Sequence, residues 1–517
     1  MKQYYSIFND VLGPVMNGPS SSHSAGCARI GRQARLLYGK EIGKAEIIFE
    51  KRGSYPKTYK GQGSDFGFTG GLLGMTPDDR RLKDAVKIAR ETGREITFSE
   101  ADLGFRHPNQ AKIIVYGDSG EKELELMTFS VGGGMFEISE MDGFSVKIDG
   151  GDEKIFVLAD VAAKEIIESV LKENNAAFST EEKDGKVFFT AIPEYGTATD
   201  YLDALAEKDG VRYVRHATPV LPVVRKKNAE MPFFCASEAL EYMKRTARTM
   251  DEAAVDYECA LGEITPDEIR EKTAHIREVM EESMTPPDGK TTPMFGFLPY
   301  SAEKMQEKIK SIRTADTGVL NKAMLAAVSV MENSCAHNII VASPTAGSSG
   351  VVPAAVVCIG RQLGASDEEI DKALLACALV GVFIANQATF GGEVGACQAE
   401  NGSASAMAAA GVVSLLGGDA IAAFRASSMA LQNMLGLICD PIGGLTEIPC
   451  ISRNVSALSN AVTSANMALC GFDPVIPLDE TIITMKKVGE QLPSELRCTC
   501  GGGLCMTKTG KRIVNNE

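Results

Sequence analysis

Apolar and polar positions alternate with a period of two over Ala45–Glu50, Lys112–Tyr116 and Glu123–Leu126. That is the spacing of strands with one buried face. Around them the period lengthens: Cys27–Leu37 and Arg81–Thr92 carry apolar residues three and four apart, as amphipathic helices do. Residues 1–150 therefore read as a mixed α/β unit. Over 151–222 the two periods interleave. Lys154–Leu158 predicts a strand and Val161–Lys172 a helix. Ala177–Thr180 and Val187–Ala191 predict two strands across the turn Lys183–Lys186. Thr197–Glu207 predicts a second helix and Val211–Val220 a last strand. Thr218–Lys227, with prolines and basic residues together, reads as a linker. From 229 to 517 only the helical period remains, in Ser237–Met250, Pro266–Met284, Ser301–Arg313 and Asn321–Ser334.

The predicted fold class is thus a multidomain α+β protein, with units at 1–150, 151–222 and 229–517. The middle one has the βαββαβ order of a ferredoxin-like arrangement. In this position it resembles an ACT-type regulatory domain, which implies amino-acid binding and self-association at paired edges; a spacer without a ligand is the alternative. After Ala336 the chain becomes rich in Ala, Gly, Ser, Val and Met. Small residues allow close helix packing, which suits a dry shell around a reactive centre and equally an ordinary core.

Charge and cysteine usage narrow the classes. A net charge of −15 argues against a nucleic-acid or anionic-membrane surface. The longest apolar run, Ala373–Ala385, is too short to span a bilayer and reads as a core helix. Thirteen cysteines and no apolar leader at Met1–Tyr5 fit reduced thiols in the cytoplasm better than a disulfide framework. Gly70–Gly74 lacks the preceding strand a dinucleotide fingerprint needs.

Three cysteines stand beside turn residues and not on an apolar stripe. Cys397 follows Gly391, Gly392 and Gly395, while Cys439 and Cys450 bracket Asp440-Pro441-Ile442-Gly443-Gly444. Their spacing matches no short metal motif, so three unrelated core thiols remain an alternative. The segments Gly395-Ala396-Cys397-Gln398-Ala399-Glu400, Cys439-Asp440-Pro441-Ile442-Gly443-Gly444 and Pro449-Cys450-Ile451-Ser452-Arg453-Asn454 resemble the GCQxE, CDPxxG and PCIxRN segments of the iron-sulfur-dependent L-serine dehydratases. The first departs by one extra residue between glycine and cysteine. The resemblance implies that Cys397, Cys439 and Cys450 hold a [4Fe–4S] cluster. Three ligands for four irons leave one iron free to act as a Lewis acid toward a substrate oxygen.

Other segments carry the same resemblance. Gly18–His23 reads GPSSSH. By its residues alone it is either a serine N-cap or an anion site at a helix start; in the family it serves the active site, which implies Ser20, Ser21 and Ser22 as substrate-binding residues. Ser343–Pro353 matches the family's PTxGxxGVVP; its hydroxyls and free N–H groups make Ser343, Thr345, Ala346 and Gly347 candidates for holding the substrate's carboxylate or ammonium, a loop linking two buried helices being the alternative. Against this, the family's KGHGTD appears as Lys60-Gly61-Gln62-Gly63-Ser64-Asp65. Glutamine takes no proton near neutral pH, so His23 is the nearest candidate base. His107, in Arg106-His107-Pro108-Asn109, reads as a turn cap. In some family members a tail cysteine occupies the open iron, which makes Cys498, Cys500 and Cys505 candidates. The tail's GGGL resembles the phosphate loop of pyridoxal-phosphate dehydratases. That reading needs a Schiff-base lysine early in an α/β fold, so no PLP is expected.

The implied activity is an L-serine ammonia-lyase giving pyruvate and ammonia, with a small amino acid as its only partner besides a second copy of the chain. A lyase for threonine or cysteine, and a non-catalytic cluster sensor, are the rival readings.

Overall fold

The computed structural model describes residues 3–194, 199–289 and 296–515. It is a multidomain mixed α/β protein. A six-stranded sheet forms from Glu95–Ala101, Lys44–Glu50, Gln110–Tyr116, Lys122–Gly132, Met135–Met141 and Phe144–Ile148, in that spatial order. Only the first pair is parallel. Alternation dictates the faces: Ile113 and Val115 are fully buried while Lys112 and Ile114 between them are partly exposed. The helices Gly26–Tyr38 and Ser64–Leu72 lie together beside this sheet. Their backbones touch at Gly71, where a Cβ would stand 2.2 Å from the Ala28 carbonyl oxygen.

The next sheet has the order Val211–Ala217, Lys154–Asp160, Lys186–Ile192, Ala177–Lys183, every neighbouring pair antiparallel. The helices Lys164–Glu173 and Tyr201–Ala206 bury Ile167, Leu171 and Leu205 on one face. The other face sends Phe156 and Phe188 into the core of the six-stranded sheet, where Phe188 stacks on Phe144 with centroids 4.6 Å apart. The expected helix Thr197–Glu207 begins outside the described residues; its described part is Tyr201–Ala206.

The remainder is helical around Asp367–Gln387, which packs on Ser403–Leu415, itself against Ala420–Gln432 and Cys450–Leu469. Among the described residues no single helix is long and apolar enough to cross a membrane; one bent pair, Asp367–Gln387 with Gly392–Leu415, passes on length and composition and is mostly buried in this core. Two boundaries differ from the periodicity. Ser237–Met250 is not one helix: Ala236–Thr246 ends where Ala247 turns to φ +55°, and the Thr249–Glu252 capping box starts Met250–Leu261. Ser301–Arg313 is helical only over Ala302–Lys308.

The N-terminal segment belongs to the helical body. Ile7, Phe8, Val11 and Leu12 enter its core, and Val15–Asn17 pairs antiparallel with Ile339–Val341. That two-stranded ribbon positions the site. The Gly18–His23 segment leaves one of its strands and the Ser343–Gly350 segment leaves the other. Ala25 and Ala346 share a small buried cluster beside it.

Candidate functional site

The Cys439–Cys450 loop is the centre of the arrangement. The Cys439 N–H donates to the Leu496 carbonyl (2.9 Å), and the Cys498 N–H donates back to the Cys439 carbonyl (2.9 Å). Cys450 is the first residue of the helix Cys450–Leu469, and its carbonyl accepts from Asn454 Nδ2 at 2.9 Å. One turn on, Arg453 reaches back: Nη1 lies 3.6 Å from Cys397 Sγ and donates to the Ile438 carbonyl at 3.0 Å, while Nη2 pairs with Asp440 at 2.8 Å. Cys397 is delivered by a strained backbone, since the preceding Ala396 sits at φ +60°, a conformation L residues adopt at a cost.

Cys397 Sγ, Cys439 Sγ and a Glu400 carboxylate oxygen lie within 4.8 Å of one another, a group able to hold a metal ion. All three cysteines are buried. The Cys397 thiol is held below the usual range, first by its hydrogen bond with Cys439 and then by the Arg453 guanidinium. Cys439 is pushed up by its bonds to Cys397 and Cys498, and Cys450 by burial and by Cys397 and Glu400. Cys450 Sγ itself stands outside that 4.8 Å group. Glu400 accepts from Thr345 Oγ1 at 3.0 Å.

The serine segment approaches this loop through Thr58. His23 is buried in a ring of hydroxyls: Ser20 Oγ and Ser22 Oγ each lie 3.1 Å from Nδ1, Thr58 Oγ1 lies 3.1 Å and Ser54 Oγ 3.5 Å from Nε2. Thr58 also abuts Gly444 of the cysteine loop, and Gln62 Nε2 donates to the Gly444 carbonyl. Gln62, which takes the position of an expected histidine, is thus a structural hydrogen-bond donor between the units. Ser21 is buried with its carbonyl accepting from the Gly26 N–H. Ser343 is fully buried, Thr345 caps the turn Ala346–Ser348, Ala346 is apolar core, and the Gly347 carbonyl accepts from Asn454 at 2.8 Å. His107 accepts from the Asn109 N–H at 3.0 Å, a turn cap.

The tail candidates separate. Cys498 sits on Cys439. The thiols of Cys500 and Cys505 both donate to the Pro441 carbonyl, at 3.4 and 3.1 Å. Two residues escaped the sequence reading, Glu400 and Arg453. Both lie inside the cysteine motifs, which were the signal.

Burial lowers the His23 imidazole to about 4, from an unperturbed value near 6.5. Because folding favours the neutral ring, this contribution is complete above about pH 6.5 and is lost as pH falls through about 4. Asp10 and Glu258, raised by burial to about 6 and about 7, act oppositely over the same range. The His23 share is therefore read as a difference: relative to the unsubstituted chain, His23→Gln should gain ~3 kcal/mol of stability between pH 7 and 4 in denaturant titrations. A constant difference would remove the buried neutral imidazole.

A family model described as serine dehydratase alpha chain matches residues 162–505, more than half of the chain. The probable L-serine dehydratase alpha chain of Bacillus subtilis (strain 168) is 37% identical over 276 residues, which is 53% of this chain and 92% of that one. The probable beta chain of the same organism is 47% identical over 156 residues, 30% of this chain and 69% of the other. The L-serine dehydratase of Streptomyces coelicolor is 26% identical over 530 aligned residues, 97% of this chain and 98% of that one.

Proposed function

The chain belongs to the serine dehydratase alpha-chain family, and on that premise we propose that it is an L-serine ammonia-lyase built around an iron–sulfur cluster. It removes water from L-serine to give aminoacrylate, which tautomerises and hydrolyses to pyruvate and ammonia. The observation that carries the reading is the buried group of Cys397, Cys439 and Glu400, with the hydroxyl ring of His23 reaching the Gly444 turn of the cysteine loop through Thr58.

The donor set fits a soft-ligand iron centre: Cys397, Cys439 and Cys450 are all buried thiols, two of them grouped with Glu400, and Arg453 attends Cys397. A [4Fe–4S] cluster held by these three thiolates would supply a Lewis-acidic iron toward the β-oxygen of serine. The chain's own groups do the rest. Neutral His23 takes the Cα proton, and the hydroxyls of Ser20, Ser22, Ser54 and Thr58 fix its ring. Ser20, Ser21 and Ser22, with Ser343, Thr345, Ala346 and Gly347, line the substrate position, where hydroxyls and backbone N–H groups meet the carboxylate and ammonium. The GGGL segment is not read as a phosphate loop, since its Leu504 N–H turns to the Asp440 carboxylate at 2.7 Å, which would repel a phosphate. In this reading the units are 1–150, 151–222 and 229–517. The middle sheet is a ferredoxin-like, ACT-like module, the chain works as a homodimer or larger homo-oligomer, and the compartment is the cytoplasm.

Anaerobic turnover with L-serine, L-threonine and L-cysteine tests it. Pyruvate and ammonia from serine should form fastest. Faster sulfide release from cysteine would make it a cysteine lyase, and protein holding only zinc would end the iron–sulfur reading.

A further inference from the structure

Resting on that iron–sulfur reading, we infer that Glu400 is the oxygen ligand of the iron that the three cysteines leave open, and that substrate displaces it. Glu400 Oε2 stands 4.0 Å from both Cys397 Sγ and Cys439 Sγ. The other oxygen accepts from Thr345 Oγ1 at 3.0 Å. Thr345 therefore fixes the group with Oε2 facing the thiols.

Among the described residues no ion pair reaches it, though the Arg453 charge acts on it from a distance. Arg453 is spent on Asp440, the Ile438 carbonyl and Cys397. A cation held between this carboxylate and the two sulfurs would favour the ionised form of all three. The surroundings are shaped to leave it room. A Cβ at Gly392 would come 2.8 Å from Oε2 and one at Gly347 would come 3.1 Å from Oε1. Carboxylate is a harder donor than thiolate and bonds a ferrous or ferric ion less tightly than a fourth cysteine. It can leave for an alcohol oxygen, with coordination changing hands and no electron transferred.

The rival ligand is the tail. Cys498 is exposed, while Cys500 and Cys505 turn their thiols to the Pro441 carbonyl. Glu400 is fixed by Thr345, whereas Cys498 is an exposed tail residue although its thiol bonds to Cys439.

Mössbauer spectra of the full chain, reconstituted anaerobically with enriched iron and sulfide, decide between them. The unsubstituted protein should show about one iron in four as a separate doublet of an oxygen-bound site. Glu400→Gln should shift or abolish that doublet while Cys498→Ser leaves it unchanged. A Glu400→Gln spectrum superimposable on the unsubstituted one, four equivalent irons, or loss of the doublet in Cys498→Ser would overturn the assignment. If Glu400→Gln holds no iron, Glu400→Asp serves instead: an altered doublet supports Glu400 as ligand and an identical one overturns it. An unsubstituted chain that assembles no cluster would overturn the reading on which the inference rests.

Discussion

Cys450→Ala should abolish both iron binding and serine dehydration while leaving the fold intact. The thiol lies at the first position of a 20-residue helix whose register is set elsewhere. Ala457, Leu458, Ala461 and Ala465 bury its inner face, and Asn454 ties it to Gly347 and Gly350. Losing one buried sulfur costs a small cavity, ~1 kcal/mol, which a helix so anchored tolerates. The chemistry does not tolerate it. A three-thiolate site reduced to two has no set of ligands for a cubane, and the lost Lewis acid is worth several kcal/mol, roughly three orders of magnitude in turnover. Iron and sulfide content, circular dichroism and pyruvate formation should be measured on one preparation, with Cys505→Ala as the control that keeps its iron. Full iron and full turnover in Cys450→Ala would remove this residue from the centre.

Elements whose burial is decided locally were legible in the sequence. The strand Lys112–Tyr116 is observed as Gln110–Tyr116, and the turn Lys183–Lys186 lies where its glycine requires a positive φ, at Gly185. The helix Cys27–Leu37 is observed as Gly26–Tyr38, closed by Gly39 in the left-handed region. Two kinds of feature were not. One is a break within a continuous period: apolar spacing runs through Ala247–Thr249, and only the capping box marks the new helix. The other is pairing at long range. Nothing in Val15–Asn17 announces Ile339–Val341 as its partner, yet that ribbon brings the serine segment and the Ser343 loop to one place. The motifs named the cysteines, but a motif letter carries no direction. Only folding turns Arg453 toward Cys397 and Thr345 toward Glu400.

His23→Ala should lower kcat by about 10²- to 10⁴-fold, the range for a lost general base, without lowering iron content. A Cα–H is a weak acid, so the base must be neutral and aimed before substrate arrives. Burial without a nearby anion makes the imidazole neutral, with its value lowered to about 4. Ser20 and Ser22 at Nδ1 and Thr58 at Nε2 hold the ring in place, and the Thr58 methyl packs beside the Gly444 turn between Cys439 and Cys450. The acid limb of kcat/KM, which reports the free enzyme, should accordingly fall near pH 4 and not at the 6.5 of an exposed histidine. Thr58→Val separates aim from proton transfer: it keeps the base and removes one hydroxyl that positions it, so kcat should fall less than in His23→Ala and the acid limb should move up toward 6.5 as the ring loosens into water. Unchanged turnover in His23→Ala would show that another group takes the proton. Lost turnover together with lost iron would make His23 a support for the cluster loop and not a base.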